Sequence, residues 1–245
     1  MRKVILTALA LMTPFYGMAA KYVPLNDNDK LMLKSIFEYD TLSYINDGKG
    51  MFDVDVISVT ADKIYKDYDA NEARGDKNYK GKTIAISGTV EKIRSTLGDV
   101  PAVILSADGS MSGVSIYFTK KYENLAIDLN KGDSIKYVCK GDGSVMGDPV
   151  LRGCVPVGEF ASEYSNVMYK QTLELFKDKN SADDISEGVV LFAKVVDKIT
   201  DGYKLCRPEE SKCIVELVNN TPKEQKRKIA QDVSASLGLT PGVEK

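Results

Sequence analysis

The groups in this chain that could do chemistry are carboxylates, lysines, tyrosines and four cysteines, since its 245 residues include no histidine and no tryptophan. Without imidazole there is no Ser-His-Asp triad, no Cys-His pair, no H-E-x-x-H zinc site and no histidine-driven pH switch. No S-x-x-K or G-x-S-x-G signature occurs. The glycine-rich run Gly141 to Gly147 lacks the lysine and following helix of a phosphate loop. Carboxylates are plentiful, but nothing in their spacing singles out a catalytic pair. The expectation is a protein that is not an enzyme and needs neither cofactor nor metal.

The remaining candidates are binding residues. Lys92 and Arg94 leave one strand-like segment, Tyr117 alternates outward between Ile116 and Phe118, and Lys120 and Lys121 follow. Aromatic and basic side chains on adjoining strands are how small barrels grip single strands. Such aromatics are sparse here, so the same lysines also fit a solvated rim. A formal charge of −2 gives no overall attraction to nucleic acid, which makes that partner unexpected. A protein or cell-envelope component is expected instead. A second basic run, Lys223, Lys226, Arg227 and Lys228, opens the last helical segment, where the macrodipole disfavours cations.

The cysteines point to an oxidising compartment. Cys139, Cys154, Cys206 and Cys213 are even in number and allow three pairings, of which the sequence-local one is simplest. They contain no C-x-x-C element, so disulfides fit better than zinc. Residues 1–20 read as a signal peptide: Arg2 and Lys3, the apolar run Val4 to Met12, Pro14, then Gly17-Met18-Ala19-Ala20. That run is too short to span a bilayer, and no later one approaches the length required. The expected location is periplasmic, or secreted.

Elements that would position these residues follow from periodicity. Residues 21–57 read as an amphipathic helix carrying Leu33, Ile36, Phe37 and Tyr44, then an extended stretch from Met51 to Val59. Thr60 is placed to cap a helix with Ile64, Tyr68, Asn71 and Gly75 on one side. The period then changes to two: strands at Thr83 to Ile93 (a bulge at Gly88), Ala102 to Leu105, Val114 to Phe118, Ser134 to Lys140, and Pro149 to Val157. Turns are expected at Asp108-Gly109-Ser110 and, between Cys139 and Cys154, across Gly141 to Ser144 and then at Gly147-Asp148-Pro149. A helix from Lys121 to Leu129 separates the third and fourth strands. Five short strands in that order spell an OB-fold barrel. The fold class is α+β: a five-stranded OB-fold β-barrel preceded by a helix, over residues 58–158, with a mainly helical domain over 159–245. Within the latter, Tyr203 to Val218 fits either a hairpin closed by Cys206 and Cys213 or a helix from Pro208. Thr221-Pro222-Lys223-Glu224 reads as a capping box with proline at the first helical position.

The run from Thr60-Ala61-Asp62 through Tyr65, Tyr68 and Asn71 to Tyr79-Lys80-Gly81-Lys82, followed by Ile86-Ser87-Gly88-Thr89-Val90, resembles the bacterial tRNA_anti-like family of exported OB-fold proteins. Tyr117-Phe118, Lys131-Gly132-Asp133 and the Cys139/Cys154 pair extend the resemblance over about residues 58–157. The sequence departs from it at Gly75, where the family usually carries alanine. The resemblance implies a fold and no settled activity. Val195-Val196-Asp197 and Leu205-Cys206-Arg207-Pro208 before the final helix faintly resemble immunity proteins that neutralise type VI secretion amidases. The resulting expectation is an exported binding module, with an inhibitor of a toxin or lytic enzyme, or a single-strand or oligosaccharide binder, as alternatives.

Overall fold

Thr60 ends one strand and starts a helix, and the barrel is organised around that junction. The structure is a computed structural model, which describes residues 25–50, 54–96, 98–107, 112–175 and 184–238. The expected signal peptide and the turn at Asp108-Gly109-Ser110 lie outside the described residues. Strand β1 (Ile57–Thr60) pairs in parallel with β2 (Thr83–Ser95). The Thr60 side chain then accepts a hydrogen bond from the Lys63 amide and caps α2 (Ala61–Ala70). Asn71 both closes that helix, donating its amide to Asp67 O, and caps α3 (Glu72–Tyr79) through its side chain. Of the extended stretch expected from Met51 to Val59, the end from Ile57 is a sixth strand, and 51–53 lie outside the described residues.

The barrel itself comprises β2, β3 (Pro101–Ser106), β4 (Gly113–Phe118), β5 (Ser134–Val145) and β6 (Asp148–Pro156). Sheet order is β1-β2-β3-β4-β6-β5, and a further β2–β5 pairing closes the ring. Only the β4–β6 contact within the ring is parallel. This is the OB-fold connection read from the sequence, with a turn at Lys120–Tyr122 and helix α4 (Glu123–Asp128) between the third and fourth barrel strands.

Inward positions are filled by branched and aromatic side chains: Ile84, Ile86, Val90, Val103, Leu105, Val114, Ile116, Phe118 and Leu151 are buried, with Ile64 and Tyr68 of α2 packed on them. Two expectations shift in register. Gly88 stays in the ladder opposite Ile135, and the bulge falls between Val90 and Lys92. Gly88 is needed for another reason: a Cβ there would lie 2.9 Å from the Ala61 Cβ. Gly141 to Ser144 is no turn either. The strand continues with an irregularity, and Met146-Gly147 makes the reversal, both with positive φ (54° and 87°). Cys139–Cys154 staples β5 to β6, and Cys206–Cys213 is the second bond.

The chain forms two compact units, 42–161 holding the barrel, and 1–41 with 162–245. The second contains the start of α1 (Asp27–Asp47), most of α5 (Val157–Leu175), and α6 (Asp184–Ile199), α7 (Ser211–Asn220) and α8 (Lys223–Leu237). Asn26 and Asp29 exchange side-chain-to-amide bonds at 2.8 and 3.0 Å, a reciprocal cap for α1. Tyr203 to Val218 resolves toward helix: α7 begins at Ser211, and the second disulfide ties it to the preceding turn. The expected Thr221 capping box does not form. Thr221 instead donates its amide and hydroxyl to Leu217 O, closing α7, and α8 starts without a side-chain cap.

Candidate functional site

A strict two-residue period along β2 would turn Lys92 inward beside Val90. The bulge resets the phase: Val90 pairs with Leu105 but Lys92 pairs with Ile104, so Ile93 packs on the core while Lys92 and Arg94 face outward. Arg94 lies opposite Ala102. The antiparallel register Val103↔Ile116 places Tyr117 as the next outward residue beside Ala102. Three of the expected binding residues thus share one outer face spanning β2, β3 and β4.

The other two are divided. Lys120 is exposed in the turn after β4. Lys121 pairs with Glu159 at 2.5 Å and rests 4.9 Å from the Tyr122 ring centroid. Those bonds raise the ammonium's pKa above the ordinary lysine value and lower that of Glu159, so Lys121 is engaged within the protein.

Sequence reasoning missed the residues that complete the face. Arg152 on β6 sets its guanidinium 4.4 Å from the Tyr117 ring centroid and its Nε 2.6 Å from Asp142 Oδ2. Lys140 of β5 pairs with Arg152 in the ladder and is exposed. The signal was weak but present: Leu151 and Cys154 are core residues, which leaves Arg152 to the outside. What the sequence could not supply was the parallel β4–β6 pairing that brings Arg152 to Tyr117.

Two other polar groupings serve packing. Tyr68 and Tyr79 stack with ring centroids 6.1 Å apart and donate to Asp76 (3.2 Å) and Asp67 (2.5 Å). Burial, then the bond to Asp67, pushes the Tyr79 phenol up to about 12. Asp67 is held below its ordinary value by bonds from Lys63 first and Tyr79 second. These tyrosines pin α2 and α3 to the barrel, as their helical spacing suggests. A cleft of about 410 Å³ is lined by Leu129, Ile135, Tyr137 and Pro156 with Asp133 and Lys136. Its two charged groups are engaged within the protein: Asp133 accepts from the Asn130 amide, and Lys136 donates to Ile45 O and Asn46 Oδ1.

In the last helix, the basic run also splits. Lys226 is buried and donates to Val218 O at 3.1 Å, so it helps terminate α7, whereas Lys223, Arg227 and Lys228 are exposed. No described helix is long and apolar enough to cross a membrane.

A family model described as tRNA_anti-like matches residues 1–155, more than half of the chain. Among solved structures, the chain is similar to the crystal structure of a "putative nucleic acid-binding lipoprotein" from Klebsiella pneumoniae subsp. pneumoniae. That protein is 16% identical, the match covers 40% of this chain and 92% of that one, and the TM-score is 0.34. No curated protein matches.

Proposed function

The chain belongs to the tRNA_anti-like family of OB-fold proteins, and from that premise we propose that it is an exported, non-catalytic binding module. Its ligand is a protein or cell-envelope component held on the outer face of β2, β3 and β4. The observation that carries this reading is the bulge-set alignment of Lys92, Arg94 and Tyr117 on one face of a closed barrel. Export is supported by the two disulfides, which persist in oxidising compartments, and by the signal-peptide pattern of residues 1–20.

The test is affinity capture from an envelope extract with the mature protein and with an Arg94→Glu/Tyr117→Ala variant. The reading expects one component that the wild type retains and the folded variant loses. An unchanged set of captured components would contradict it.

A second reading, an inhibitor that occludes a lytic enzyme, draws on the β5–β6 hairpin. Met146 is fully exposed at its tip, and Val145 beside it is 61% exposed. Met146 holds a left-handed φ of 54°, a conformation costing roughly 1 kcal/mol or more for such a residue. A stapled hairpin presenting apolar side chains suits insertion into a concave site. Recovery of a single hydrolase, lost on Met146→Asn, would favour this reading.

A further inference from the structure

Arg152 is more than another cation on the barrel face. Its guanidinium rests on the Tyr117 ring at 4.4 Å, and its Nε edge is bound by Asp142 at 2.6 Å. Ring and carboxylate together fix both the tilt and the rotation of the planar group. Its two terminal nitrogens make no hydrogen bond among the described residues, and the side chain is 54% exposed. A guanidinium held this way presents a fork that matches the two oxygens of a carboxylate or phosphate. Asp142 therefore orients the fork and leaves its outer edge open.

The surroundings favour one ligand class. Lys140 lies opposite Arg152 on β5, and Arg94 and Lys92 follow across Ala102 and Ile104 on β2. Neighbouring strands are spaced about 4.8 Å apart, so these cations track along the barrel rather than gather at one point. That suits an extended chain bearing repeated negative charges. Single-stranded nucleic acid would also want aromatic faces for its bases. Tyr117 is the outward aromatic of the described barrel strands, and the face it offers is taken by Arg152. Bases find no free aromatic platform on the described barrel strands, whereas a non-planar acidic sugar chain needs none.

We propose that Arg152, oriented by Asp142 and Tyr117, is the central anion-recognition residue of a site for an acidic polysaccharide. This rests on the barrel-face reading above and gives its ligand a chemistry. The site needs no metal and no covalent step.

The experiment is binding of polygalacturonate oligomers to the mature, disulfide-bonded protein, with neutral dextran and oligo-dT of similar length as comparison probes. Polygalacturonate should bind, dextran should not, and oligo-dT should bind at least ten-fold more weakly. Arg152→Lys keeps the charge and loses the fork, and should weaken binding about ten-fold. Asp142→Asn provides a sign test. If only net charge matters, removing an acid tightens binding; if Asp142 aims the fork, binding weakens several-fold. Tighter binding by Asp142→Asn together with an unchanged Arg152→Lys overturns the proposal, as does preference for oligo-dT. Absence of polyanion binding also overturns it, and leaves the barrel-face reading standing if Arg94→Glu/Tyr117→Ala still loses its envelope component.

Discussion

Gly75 shows how far a single position can mislead when read by propensity alone. Alanine is favoured over glycine in a helix by about 1 kcal/mol, which would make Gly75→Ala stabilising. In the structure a Cβ at this position meets Tyr68 Cδ1 at 2.7 Å and Cγ at 2.8 Å, ring atoms of a buried side chain that cannot swing aside. Overpacking should win, and Gly75→Ala should lower stability in denaturant unfolding by about 1–3 kcal/mol. The neighbouring tyrosine carries a pH signature. An unfolded Tyr79 releases its proton near 10.0 and the folded one near 12, so between those values the unfolded chain binds fewer protons and stability falls as pH rises. Asp67 acts at the other end: its lowered pKa contributes stability above the ordinary carboxylate value that is lost as pH falls through the folded one. Tyr79→Phe should therefore flatten the alkaline fall while costing about 1 kcal/mol at neutral pH. Equilibrium unfolding across pH, followed by tyrosinate absorbance, checks both. The outward facing of Lys92 and Arg94 depends on the bulge after Val90, whereas the outward Tyr117 and the inward Ile116 and Phe118 were legible from alternation. Arg152 was not, because its partner lies on a strand that only tertiary pairing brings near.

At the scale of elements, the strands formed where alternation placed them, apart from the bulge in β2 and the reversal at Met146-Gly147. The helix misreadings fell where one residue serves two elements. Thr221 had every feature of a helix start and was drawn instead into ending the helix before it. Lys226 read as part of a basic surface run, yet it is 6% exposed and its ammonium closes the same helix end. Both misreadings share a cause: the turn between α7 and α8 is so short that its polar groups complete α7. Lys226→Met keeps the stem and removes the donor to Val218 O. Its thermal melting temperature should fall, by the equivalent of about 1–2 kcal/mol, whereas Lys228→Met, on an exposed position, should change stability by under about 0.5 kcal/mol. The β5–β6 hairpin depends on its staple. Cys139 and Cys154 enclose a separation of 15 residues, for which loop closure contributes about 3 kcal/mol, so replacing both with serine should cost roughly that in urea unfolding. Intact mass of the protein purified without reductant should be lower by four hydrogens than that of the fully reduced chain, matching both bonds.

For the molecule as a whole, the absence of histidine narrows the chemistry, and the closed barrel supplies the positive content. An OB barrel of this order was legible from strand count and the helix after the third strand. The parallel addition of β1 and the β2–β5 closure are set by packing partners that no local pattern records. In the other unit, buried Asp29 takes bonds from Lys194 and from Tyr203, residues more than 160 positions away in sequence. Tyr203 holds a left-handed φ of 63°, and burial raises its phenol well above the ordinary value. Such distant polar contacts escape periodicity, which reports faces and not partners. Hydrogen exchange of the protein, with and without an envelope fraction that it retains, separates recognition on the outer β2–β4 face from recognition elsewhere. Exchange should slow over Lys92–Ser95 and Ser115–Phe118 when the fraction is present. Slowing confined to 184–238, with those strands unchanged, would contradict recognition on that face.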